Sequence, residues 1–128
     1  MRILKKGERE IMDLFWQENR PLSQADISEK LKDTMSRNTV YLHLNRLLDN
    51  GFLQPGLSVR RGRTYGRTFT PTVSKTEYYA KQVTDAAKDE DVLLEDVVAY
   101  FLGDEAITEA TLDEIEKRIQ EKRRKLKP

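Results

Sequence analysis

The sequence predicts a mainly α-helical fold with a small antiparallel β-hairpin: a winged helix-turn-helix domain followed by a C-terminal helical dimerisation region. Three observations lead there. Apolar residues recur at helical spacing in three short segments before residue 50. From Phe52 to Pro71 the pattern changes to strand-like alternation. Beyond Pro71 the helical period returns, on narrow apolar stripes in highly charged segments. The expected division is 1–73 for the winged helix and 74–128 for the helical region.

Taken in order, Leu4 to Gln17 reads as the first helix, with Ile11, Leu14 and Phe15 on one stripe extended by Leu4. Met12 and Trp16 sit one turn apart on an adjoining side, and Pro21 stops the helix. Ser23 with Asp26 makes a capping box, and Leu22 is placed to act as a hydrophobic staple. The second helix runs to about Leu31, with Ile27 and Leu31 inward, and Asp33-Thr34 is a short break.

The third helix, over 36–50, is the segment around which the rest is organised. Ser36 caps its start, Val40, Leu44, Leu47 and Leu48 form its apolar stripe, and Asn50-Gly51 ends it. Its other face carries Arg37, Asn38, Tyr41, Leu42 and Asn45, with no acid before Asp49. A helix buried on one side and armed with donors and acceptors on the other can enter a DNA major groove. These residues are expected on the groove face, while Thr39 and Arg46 are expected at phosphates; Arg46 can equally brace the helix internally. Read by itself, the same pattern also fits an ordinary amphipathic helix with a solvated polar face. His43 reads as a partly buried histidine at the margin of the core, with a pH-responsive role as the alternative.

Phe52 and Leu53 begin one strand, in which Leu57 and Val59 alternate with polar neighbours. Arg60 to Arg63 reads as a turn around Gly62, and Thr64, Tyr65, Thr68, Phe69 and Thr70 form the return strand, closed by Pro71. Arg60, Arg61 and Arg63 give this wing, over 60–67, an arginine-rich tip suited to phosphates or a minor groove.

Ser74-x-x-Glu77 opens a fourth helix with Tyr79, Val83, Ala86 and Ala87 as its weak stripe. Asp89 to Asp91 is an acidic break. Val92 to Leu102 forms a compact helix with Leu94, Val97, Val98, Phe101 and Leu102 on one broad face, and Gly103 stops it. Thr111-x-x-Glu114 is expected to cap the last helix, whose stripe is Leu112, Ile115 and Ile119, with Leu126 far down. Its basic end, Lys122 to Lys127, suits the negative end of the helix dipole. Left bare, these stripes would make an interaction patch, so pairing with a second copy about a twofold axis is expected.

Composition narrows the functional classes. The chain has 128 residues, 38% hydrophobic and 35% charged. With no cysteine and one histidine, neither a disulfide framework nor a Cys/His metal cluster can form within one chain. No nucleophile–base constellation or phosphate loop is present, so neither catalysis nor a cofactor is expected. No apolar run is long enough to cross a membrane, and the N-terminus lacks a signal-peptide core. A soluble cytoplasmic protein without membrane insertion is the expectation. The net charge of +1 hides an asymmetry: 13 Lys/Arg face 8 Asp/Glu through Val73, against 10 and 14 from Ser74 onward. No acid lies between Asp49 and Glu77. A basic front half is the footprint of a nucleic-acid binder, here with double-stranded DNA as partner.

The sequence resembles the penicillinase-repressor family of bacterial transcription factors over nearly its whole length. The carriers are Glu8 to Trp16, then Thr39-Val40, Arg46-Leu47 and Gly51, Phe69-Thr70-Pro71 closing the wing, Glu77-Tyr78, and the weakly apolar C-terminal helices. The resemblance implies a homodimeric winged-helix repressor on a palindromic DNA operator. It implies release either by proteolysis on a signal from a membrane-bound sensor protease, linked to β-lactams, or by copper. The copper branch carries cysteines near its C-terminus and this chain has none. Met35 stands where the family usually has Trp, Leu42 where it often has Thr, and His43 where it has an apolar residue. Leu42 can meet a thymine methyl group, so the operator need not match the family's. Tyr100-Phe101 is the nearest counterpart of the family's scissile bond, with a different preceding residue. Two other readings compete: a winged helix that serves as a protein-interaction module, and a DNA-binding regulator triggered by a small ligand.

Overall fold

Local signals account for most helix ends. In the computed structural model, which describes residues 2–61 and 64–128 and the side chains of these except 59–61, 64 and 65, α1 spans Lys6–Glu18 and ends at Asn19 in the left-handed conformation (φ 53°). The helix starts two residues later than Leu4 because Glu8 folds back to accept the Lys5 amide at 2.9 Å; Leu4 is nevertheless buried just ahead of it. α2 spans Gln24–Lys30 and opens with the expected box: Ser23 Oγ accepts from the Asp26 amide and the Asp26 carboxylate accepts from the Ser23 amide. α3 spans Arg37–Asp49, capped by Ser36 Oγ on the Thr39 amide. Gly51 follows at φ 78°, which a side chain would strain.

Leu22 precedes the cap of α2 and is buried in the same core cluster as Ile27, and it has a second role that the local pattern does not show. With Ser23 it forms β1 (Leu22–Ser23), a third strand that pairs antiparallel with β3 (Thr64–Pro71), Leu22 opposite Phe69 and Ser23 opposite Thr68. β2 (Leu53–Arg61) lies on the other side of β3, so the sheet order is β1-β3-β2. The backbone of a two-residue strand is satisfied only by a partner distant in sequence, which is why local pattern misses it. A register shift between Pro55 and Ser58 breaks the alternation expected of β2 and leaves Leu57 84% exposed. The expected Gly62 turn and Arg63 lie outside the described residues.

The core sits between α1, α2, α3 and the sheet: Ile11, Met12, Phe15, Leu22, Ile27, Val40, Leu47 and Phe52 are essentially inaccessible. The chain forms two compact units, Met1–Val83 and Thr84–Pro128. The first unit therefore includes the opening turns of α4 (Lys75–Asp89), where Ser74 Oγ accepts from the Glu77 amide. Tyr78, not Tyr79, is the inward residue of that helix. Its ring stacks near Trp16 and Phe52, and its hydroxyl accepts from the buried Leu4 amide at 2.9 Å. Trp16 Nε1 donates to the Val73 carbonyl at 3.0 Å, tying α1 to the segment that leads into α4.

In the second unit α5 is Leu94–Leu102, two residues shorter than expected, and α6 is Glu109–Leu126. The cap of α6 is Thr108, whose hydroxyl accepts from the Thr111 amide; Thr111 is the third helical residue, not the cap. Ala106 also turns back onto Asp104, and these two hydroxyl and carboxylate bonds set the start of α6 one turn early. Leu94, Val98, Phe101, Leu102 and Ile119 are exposed, while Val97, Leu112 and Ile115 are half-buried. No helix among the described residues is long and apolar enough to cross a membrane.

Candidate nucleic-acid interface

The site is built on α3. Val40, Leu44 and Leu47 are buried in the core, so the 3.6-residue period turns the other positions outward. Arg37, Asn38, Tyr41, Leu42 and Arg46 are exposed; Thr39 and Asn45 are half-buried. Tyr41 and Leu42 are 50% and 47% exposed, a large apolar area for a solvated helix face. Among the described residues, the side chains of Arg37, Asn38, Tyr41 and Asn45 have no hydrogen-bond or ion-pair partner. The donors and acceptors a base edge requires are thus uncommitted. Thr39 is engaged: its hydroxyl accepts from Ser36 Oγ at 2.9 Å, which holds it at the helix start.

The helix is held rigidly from behind. His43 lies half-buried with its ring against Gly7, and its Nδ1 is buried with no partner among the described residues. Beside it Glu8 is fully buried and bonded to Arg2 and to the Lys5 amide. The Arg2 hydrogen bond, helped by the Lys5 amide and against burial, holds the Glu8 carboxyl at about 2. Arg2 also lies 5.6 Å from the centre of the Phe52 ring.

The wing continues from this helix. Arg60 and Arg61 lie on the backbone of β2, Arg61 opposite Thr64; their side chains are not described, and Arg63 lies outside the described residues. Arg67 on β3 is exposed, opposite Ser58. Pairing of β1 with β3 brings it beside the start of α2. There a notch of about 370 Å³ is lined by Ser23, Gln24, Ala25, Ser28, Arg37, Gly66, Arg67 and Phe69. Gln24 and Ser28 carried no signal in the sequence, because the strand that assembles this notch is two residues long. Among the described residues no cluster of His, Cys, Asp and Glu could hold a metal ion.

The expected dimerisation residues fall on α5 and α6, away from this face in sequence and in the other compact unit. Phe101 is 52% exposed.

The family model described as the penicillinase repressor matches residues 4–121. No curated protein matches the sequence. Among solved structures, the chain is similar to one on peroxide sensing and gene regulation by PerR from Streptococcus pyogenes, at 21% identity and a TM-score of 0.43. That match covers 54% of this chain and 47% of the other. A second, of GAS PerR-Zn-Zn, has the same identity and TM-score and covers 54% of this chain and 44% of that one. The chain thus spans less than half the length of either.

Proposed function

The chain belongs to the penicillinase-repressor family, and from that membership we infer that it is a DNA-binding transcriptional repressor. The observation that carries the reading is the outer face of α3, where the exposed Arg37, Asn38 and Tyr41 and the half-buried Asn45 have no side-chain partner among the described residues. In this reading α3 enters the major groove, Asn38, Tyr41, Leu42 and Asn45 meet base edges, and Thr39 and Arg46 meet phosphates. The arginine-rich wing, with Arg60, Arg61 and Arg63, follows the neighbouring backbone. Residues 1–73 are the reading head and 74–128 the helical dimerisation region, the first turns of α4 packing with the head.

Two heads on a palindromic operator follow from a homodimer. Supporting it are the exposed Leu94, Val98, Phe101, Leu102 and Ile119, with the half-buried Val97, Leu112 and Ile115. Release by an upstream signal rests on family resemblance alone.

Selection of duplexes from a random pool by the full chain, followed by titration at several salt concentrations, tests the reading. The expected result is one enriched, inverted-repeat sequence whose affinity falls steeply with salt. Failure to enrich or shift any duplex would leave a protein-interaction module as the better description.

A further inference from the structure

The notch between α2, α3 and β3 joins residues from three elements around one chemistry. Arg37 is the first residue of α3, Arg67 lies in β3, and Gln24 and Ser28 are one turn apart on α2. Among the described residues no carboxylate lines it. Neither guanidinium has an ion-pair partner among the described residues, and neither is buried, so neither is committed to holding the fold. Ser28 Oγ is buried with no hydrogen-bond partner among the described residues, which is uncommon for a buried hydroxyl. The remaining wall is Ser23, from β1, with the apolar Ala25, Gly66 and Phe69.

We propose that this notch seats one sugar–phosphate unit of the operator backbone, its phosphate between Arg37 and Arg67 and its deoxyribose against Phe69 and Ala25. The inference rests on the DNA-binding reading above and deepens it. Two planar guanidinium forks can meet the oxygens of one phosphodiester, which a single arginine cannot do from both sides. The Gln24 amide supplies a further donor at the same rim. The mixed lining fits a nucleotide backbone better than a bare inorganic anion, which offers nothing to Phe69. The assignment moves Arg37 from base reading to positioning: it fixes the register of α3 in the groove without itself selecting a base. It also explains why β1 matters. The Leu22↔Phe69 and Ser23↔Thr68 pairs join β3, which carries Arg67, to the strand that leads into α2, and both arginines line the notch.

The test uses the full chain and the duplex enriched by the wild type. Arg37→Ala and Arg67→Ala are each expected to weaken binding to that duplex and to an unrelated duplex by the same factor, at least tenfold. Each should also lower the salt slope by about one unit per half-site. A neutral methylphosphonate placed at the phosphate that ethylation interference maps to this notch should weaken the wild type but not the double variant. Arg67→Lys should keep the salt slope and recover part of the affinity. The proposal is overturned if Arg37→Ala changes base preference with the slope intact. It is equally overturned if the two variants lose interference at different phosphates. A wild-type chain that binds no duplex would remove both this inference and the repressor reading; wild-type binding indifferent to both arginines removes this one alone.

Discussion

The guanidinium of Arg2 closes on the carboxylate of Glu8 through two hydrogen bonds, 2.9 Å to Oε1 and 2.6 Å to Oε2. Glu8 is wholly buried, while about a third of the Arg2 side chain stays in solvent. The pair stands next to His43 of α3, and it ties the N-terminal segment to α1.

That geometry makes stability depend on acid. The Glu8 carboxyl is depressed from 4.5 to about 2, so its contribution is complete above pH 4.5 and is lost as pH falls towards 2. Arg2→Ala strands a buried charge; breaking such a pair costs about 3–5 kcal/mol when both partners are buried, and the exposure of Arg2 reduces this to about 2 kcal/mol at pH 7. Urea unfolding at a series of pH values checks it. The gap between wild type and variant should narrow towards pH 2, and a constant gap would contradict the mechanism.

Gly7 is a second test of the α1–α3 contact. A side chain there would collide with the His43 ring. Alanine gains about 0.5–1 kcal/mol in helix propensity, but overpacking costs about 1–3 kcal/mol. Gly7→Ala should therefore destabilise by about 1 kcal/mol. In a His43→Ala background the same change should stabilise, because only the propensity gain remains. Thermal melts of the four proteins decide, and a Gly7→Ala effect of the same sign in both backgrounds would refute the contact.

Tyr78→Phe removes one oxygen and leaves the buried Leu4 amide without its acceptor. The expected loss is about 1–2 kcal/mol, with ring packing against Trp16 and Phe52 retained. Faster hydrogen exchange at the Leu4 amide is the accompanying signature; unchanged exchange would mean that the hydroxyl is dispensable.

Phe101→Glu places a charge on the exposed apolar face of α5. If that face joins two copies, light scattering should show a monomer, and duplex affinity should fall at least tenfold, since one head loses the help of the other. A variant that remains dimeric would move the interface elsewhere.

Asn38→Ala probes the outer face of α3. An asparagine bonded to adenine contributes roughly 1–3 kcal/mol of discrimination. Repeating the duplex selection with the variant should relax one position per half-site and leave the others. An identical selected sequence would take Asn38 out of the reading set.

Much of this protein was legible residue by residue where the interaction is local. The Ser23–Asp26 box, the Ser36 cap, the left-handed Gly51 and the buried stripe of Val40, Leu44 and Leu47 all join residues a few positions apart. Short-range hydrogen bonds and helical period leave a mark that a linear reading can find. Where two local solutions competed, the reading failed. Thr108 and Thr111 are both possible caps, as Tyr78 and Tyr79 are both possible inward residues, and only the surrounding contacts choose between them.

By itself, then, the sequence determined the helices, the hairpin, the basic front half and the face of α3 that points away from the core. Tertiary structure alone decided that Leu22-Ser23 would be a strand, that Arg2 would neutralise Glu8 six residues away, and that Arg37 and Arg67 would share a notch with Gln24 and Ser28. The reason is physical. A two-residue strand, a buried carboxylate and a cleft between three elements have no favourable state of their own. Each exists only once folding has closed the intervening loops and brought its distant partner within hydrogen-bond reach.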